Sequence, residues 1–196
     1  MILPIVAYGD PVLKKLCKEI PKDYPNLKEL IDNMYETMDG ASGVGLAAPQ
    51  IGLPIRMFIV DTSPFSEDEE LSPEQQEELK GFKRTFINAK ITNEEGDEWA
   101  FNEGCLSIPD IREDVFRKPI ITIEYLDENF EKHIETFSGL IARVIQHEYD
   151  HIEGVLFTDK LSALKKRLIK GKLVNISKGK ISIDYRMRFP NQKKKR

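Results

Sequence analysis

The chain has 196 residues, 40% hydrophobic and 32% charged. That is a globular balance that excludes wholesale disorder, and with no run of 18 apolar residues it excludes a transmembrane helix. The net charge of −4 is uneven: Glu67 to Glu78 carries seven acids and no base, while the end reads Lys193-Lys194-Lys195-Arg196, so no bulk affinity for nucleic acid follows. The opening MILPIVAYGD has no basic stretch, and Pro4 and Gly9 interrupt it. It does not read as a signal peptide, and a cytoplasmic protein with Cys17 and Cys105 as free thiols is expected.

In chain order, residues 11–20 form a short amphipathic stretch ahead of Pro21 and Pro25. Leu27, Leu30, Ile31, Met34, Tyr35 and Met38 have the spacing of a helix with one buried face, and Gly40 stands where a terminating glycine would. Residues 41–52 read as a glycine-rich turn, and Arg56 to Asp61, containing MFIV, as a strand. Residues 62–81 are rich in Ser, Pro and Glu and read as an exposed, mobile loop with room for one helical turn. Strand character resumes from Phe82 to Asn93, with a turn at Glu95-Gly96. IITIEY (120–125) and residues 130–137 make a hairpin across Asp127-Glu128-Asn129. Ser138 is the expected N-cap of a helix over 139–153 ending at Gly154. A second helix starts at Ser162 and ends before Gly179, and Ile181, Ile183 and Tyr185 alternate as a last strand. Helices and strands do not alternate regularly, so the expected class is α+β with mostly antiparallel sheets around a central helix.

The sharpest motif is His147-Glu148-Tyr149-Asp150-His151, H-E-x-x-H within a predicted helix. Residues four apart share a helical face, so both imidazoles can hold one metal ion while Glu148 serves as general base. The plain alternative is a polar surface patch. A catalytic site needs a third ligand and an open position. The metzincin pattern holds as far as Gly154 but meets Phe157 where its last histidine belongs. Downstream acids are few: Glu153, Asp159 and Asp184, none in a suitable helical context. Upstream, Cys105 in NEGCLSIP offers a soft thiolate, with Gly104 permitting close backbone approach; its alternative is a buried small hydrophobe. Cys17 and His133 read as structural. In GVGLAAPQIG (43–52), Gly45 and its small neighbours either let a ligand approach the backbone or merely form a turn, and Gln50 supplies an amide donor.

Together GVGLAAPQIG, EGCLS and QHEYDH, in that order over 43–151, resemble the peptide deformylase family. The resemblance implies removal of the formyl group from N-formylmethionine on nascent polypeptides. It implies one divalent metal, Fe(II) natively with Zn, Ni or Co able to replace it, held by Cys105, His147 and His151. It implies Glu148 as general base and acid, with the Gln50 side chain and the Leu106 backbone N–H as oxyanion donors. Val44, Leu140 and Val144 would line the methionine pocket, Val44 and Gly45 would pair with the substrate backbone, and Arg112 would sit near the peptide cleft. Glu103 and Asp150 would orient the ligands, with Arg143 or Arg117 as partners. One catalytic domain over 1–188, including the acidic loop 62–81, would be followed by a basic flexible tail at 189–196. Transient ribosome association, a monomeric state, and no DNA or membrane partner are expected. Rival readings are a zincin peptidase, a closed zinc module and a redox thiol protein using Cys105.

Overall fold

The computed structural model describes residues 1–191. Its strands are β1 (Ile5–Val6), β2 (Gly45–Ala47), β3 (Met57–Asp61), β4 (Lys83–Glu95), β5 (Trp99–Cys105), β6 (Ile108–Arg117), β7 (Ile120–Leu126), β8 (Lys132–Ser138) and β9 (Met187–Arg188). Its helices are α1 (Leu27–Gly40), α2 (Pro73–Lys80), α3 (Gly139–Ile152) and α4 (Ala163–Ser177). A five-stranded antiparallel sheet runs in the order β2-β3-β4-β7-β8; β5-β6 form a separate hairpin, and β1 pairs with β9 in parallel. This is an α+β fold.

β3 explains how the layers are assembled. Its run MFIV is buried on both faces, which is why it reads as continuous rather than alternating. Phe58 and Val60 face a cluster with Ile141, Ala142 and Ile145 of α3, while Met57 and Ile59 face Ile31, Met34 and Met38 of α1. A third cluster joins Ile108, Ile111 and Val115 of β6 to Ile169 and Leu173 of α4. The helix α3 is consequently buried along most of its length.

Several expectations change. Residues 41–52 are not simply a turn: β2 pairs Gly45, Leu46 and Ala47 with Val60, Ile59 and Phe58, and a 3-10 turn covers Ala48–Ile51. The segment 62–81 is not only a loop. A 3-10 turn (Ser63–Glu67) leads to α2, where Ser72 and Gln75 cap reciprocally and Pro73 opens the helix. Leu79 is buried, and Phe65 and Leu71 pack on the core. Residues 11–20 hold a 3-10 turn at Pro11–Lys14 and an isolated parallel bridge from Lys18 to Ile55. Gly40 ends α1 in helical geometry, and the left-handed residue beyond it is Ser42. Ser138 occupies the N-cap position of α3 without a capping bond, whereas Ser162 caps α4 through Lys165 N. The final strand shrinks to Met187–Arg188; at Ile181, Ile183 and Tyr185 the in–out alternation persists without a ladder partner. The expected tail starts too early: Phe189 packs on the core and Asn191 N–H donates to the Ser177 carbonyl. Residues 192–196, with the KKKR run, lie outside the described residues.

Candidate metal and catalytic site

β5 ends at Cys105 and faces α3, which presents His147 and His151 one turn apart. One donor atom from each of these three residues lies within 4.8 Å of the others. Cys105 Sγ is 3.3 Å from His151 Nε2. His147 Nδ1 is 2.9 Å from Glu103 Oε2, which leaves Nε2 for the centre of the triad. One sulfur and two imidazole nitrogens converging with no fourth protein donor among the described residues suit a transition-metal ion with an open position. The charge balance agrees. Burial lowers the His147 pKa, but Cys105, Glu103 and Glu148 outweigh it and draw the ring well above its usual value. Burial, reinforced by His147, holds His151 well below its own. The carboxyls of Glu103 and Glu148 lie beside the place where a cation would sit.

Two of the three downstream acids are engaged elsewhere, and Asp184 lies in the cavity wall but is not grouped with the triad. Glu153 accepts from Arg56 at 2.6 Å, and Asp159 pairs with Lys14. Phe157, the position of the missing metzincin histidine, stacks instead on the His147 ring at 6.1 Å.

Glu103 is the hub behind the triad. It receives Arg117 through both oxygens at 2.7 and 3.0 Å, Arg143 Nη1 at 3.0 Å, and His147. Arg117 continues to Asp150 at 2.7 Å. Burial would raise the Glu103 carboxyl, but the hydrogen bonds and charges of His147 and Arg117 prevail and hold it far below the usual range.

Glu148 is 4% exposed, its Oε2 has no hydrogen-bond partner, and burial pushes its pKa up to about 7. It fits against β2 only because residue 45 is glycine: a Cβ there would lie 2.7 Å from Glu148 Cδ. Gln50 Oε1 accepts from Ala47 N–H at 2.8 Å, which turns Nε2 toward Cys105 Sγ and Ser107 Oγ, each at 3.4 Å.

A cavity of about 500 Å³ opens onto this constellation. Val44, Gly45, Gln50, Cys105, Leu106, Arg112, Val144, His147 and Glu148 all line it. Leu140 does not; it packs against the core one turn from Val144. Arg112 folds over Gly104 and bonds Asn102 at 3.0 and 2.6 Å. The wall also includes Phe65 and the run Ser182–Tyr185, which sequence reasoning missed. Phe65 is a lone aromatic in an acidic segment, and Ser182–Tyr185 lies far from every motif. Cys17 is buried, as a structural cysteine should be. His133 does have a partner: its Nε2 is 3.0 Å from Asp127 Oδ2 and its ring stacks on Tyr125.

The polypeptide deformylase family profile matches residues 2–167. Over all 196 residues of both chains, the sequence is 69% identical to a peptide deformylase of Christiangramia forsetii and 70% identical to one of Flavobacterium johnsoniae. A crystal structure of a peptide deformylase from Legionella pneumophila superposes with a TM-score of 0.78 at 34% identity, covering 92% of this chain and 98% of that one.

Proposed function

Because the chain belongs to the peptide deformylase family, we propose that Cys105, His147 and His151 hold the metal and that Glu148 moves the proton. The enzyme is a metal-dependent hydrolase that removes the N-formyl group from nascent polypeptides. When bound, the ion supplies Lewis acidity, acidifying water and polarising the formyl oxygen. Glu148 accepts a proton from the attacking water as oxygen adds to the formyl carbon, then delivers it to the amine nitrogen as the C–N bond breaks. The products are formate and a free α-amino group. Gln50 Nε2 and the Leu106 N–H face the oxygen that gains negative charge. The reading rests above all on one observation: the buried Glu148 carboxyl, its Oε2 without a hydrogen-bond partner, lines the cavity together with Cys105 and His147 of the sulfur–imidazole triad.

The formylmethionine side chain enters the apolar part of the cavity beside Val44, Phe65 and Val144. The peptide backbone runs along Val44 and Gly45 as an added strand. In support, β2 is an edge of the main sheet and lines the cavity. Arg112 borders the peptide path. Fe(II) is the proposed native ion, with Zn, Ni or Co as functional substitutes. A cytoplasmic monomer in transient contact with the ribosome completes the reading; among the described residues no helix is long and apolar enough to cross a membrane.

Anaerobic purification with metal analysis, followed by formate release from a formyl-Met peptide, tests the proposal. Glu148→Ala should keep its metal and lose about 10²–10⁴-fold in kcat. Normal turnover by fully metallated Glu148→Ala would end the assignment. An oxygen-stable native activity would remove Fe(II).

A further inference from the structure

Past Gly179 the chain does not leave the molecule. It crosses beside the cavity, and Ser182, Ile183, Asp184 and Tyr185 all contribute to its wall. The segment is then secured where β9 pairs with β1, Ile5 opposite Met187 and Val6 opposite Arg188, with Ala7 N–H donating to the Arg188 carbonyl at 2.9 Å. From this strap Tyr185 donates its hydroxyl to the Leu106 carbonyl at 2.8 Å. The ring is half-buried and packs with the cluster that also holds Leu106.

The turn Cys105-Leu106-Ser107 is thereby held at every residue. Cys105 converges with the two imidazoles, and the Ser107 carbonyl accepts from Tyr8 N–H at 2.8 Å. Ser107 Oγ lies 3.4 Å from Gln50 Nε2. Leu106, the middle link, is held by Tyr185. A fixed carbonyl oxygen fixes the plane of the peptide that follows, and so restricts rotation about the Cα that also carries the Leu106 N–H. A donor to a developing oxyanion must keep its direction within roughly 10–20°.

We infer that Tyr185 is a positioning residue for the reaction: its hydrogen bond from the carboxy-terminal strap aims the Leu106 N–H at the reacting formyl oxygen. The inference rests on the reading of Leu106 and Gln50 as oxyanion donors. No group of Tyr185 takes part in bond making or breaking.

Tyr185→Phe removes one oxygen and keeps the ring that packs in the wall. Steady-state kinetics on a formyl-Met peptide, at matched metal content and well below the melting temperature, should show kcat lower by about tenfold. That is less than the ~10²-fold that misplacement by 1 Å can cost. KM should stay within about twofold. Amide hydrogen exchange at Leu106 and Ser107 should quicken, with and without the metal. Gln50→Ala is measured alongside. If Gln50→Ala loses about 10²-fold in kcat while Tyr185→Phe keeps full kcat, or exchange at 106–107 does not change, Tyr185 has no positioning role and the oxyanion reading stands. If both variants keep full kcat, the oxyanion reading itself fails and this inference with it. A raised KM at unchanged kcat would make Tyr185 a binding wall only and overturn the inference.

Discussion

At the scale of single residues the site depends on what is absent as much as on what is present. Gly45 carries no functional group, yet it decides where Glu148 can lie. Gly45→Ala would put a methyl 2.7 Å from Glu148 Cδ, closer than carbon atoms tolerate, so the carboxylate or β2 must move. Displacement by about 1 Å near reacting atoms costs up to ~10²-fold. Gly45→Ala should therefore retain its metal and lose one to two orders of magnitude in kcat; an unchanged kcat by formate release would show that the contact is not part of the catalytic fit. The pairing of His147 with His151 was legible in advance because i, i+4 spacing is a local geometric fact. Cys105 as third ligand came from the resemblance, since its approach to α3 depends on the β5–β6 hairpin, whose register no short motif encodes. Leu140 shows the reverse failure. Four residues before Val144 it shares a helical face in principle, but it is only half-buried and packs against the main cluster rather than lining the cavity.

At the scale of elements, those with a strong local period were readable and those made by distant pairing were not. α1, α3 and the β7–β8 hairpin follow from apolar spacing and turn residues. β2 did not, because the short run Gly45-Leu46-Ala47 has no strand signature; the ladder to Val60, Ile59 and Phe58 makes it one. The helix α2 could have been found. Ser72-Pro73-Glu74-Gln75 is a capping box with proline at the first helical position, but the acidic composition of the segment masked it. Ser72→Ala removes the oxygen that accepts from Gln75 N–H and should cost about 1 kcal/mol. For a chain of this size that corresponds to a melting temperature lower by about 2–4 °C. Because Phe65 lines the cavity from the adjoining turn, thermal melts should be paired with KM. A shift in melting with KM unchanged would confine α2 to stability.

At the scale of the whole molecule, one buried carboxylate ties three elements together. Glu103 of β5 binds Arg117 of β6 and both Arg143 and His147 of α3. Its pKa is depressed below the ordinary 4.5. It therefore contributes stability that is complete above that value and is lost as pH falls through the lowered one. Glu103→Gln leaves Arg117 and Arg143 buried without their shared anion, a change on the order of 3–5 kcal/mol. The expected outcome is a lower melting temperature at pH 7 and a shallower decline from pH 5 to pH 3 than in the unaltered chain. Calorimetry with and without chelator separates this from loss of metal, and parallel pH curves for the two proteins would show that the hub is not an acid-sensitive staple.

Synthesis on the ribosome proceeds in one direction, and the strap that holds Leu106 emerges after every residue of the site it braces. Sulfur, both rings and the general base can gather while residues 181–188 are still inside the exit tunnel. The turn between sulfur and Ser107 then lacks the Tyr185 hydroxyl, and one side of the cleft stands open to water. Each new molecule should thus acquire its inner ligands early and its full catalytic competence only once residues 181–188 are free to pair β9 with β1.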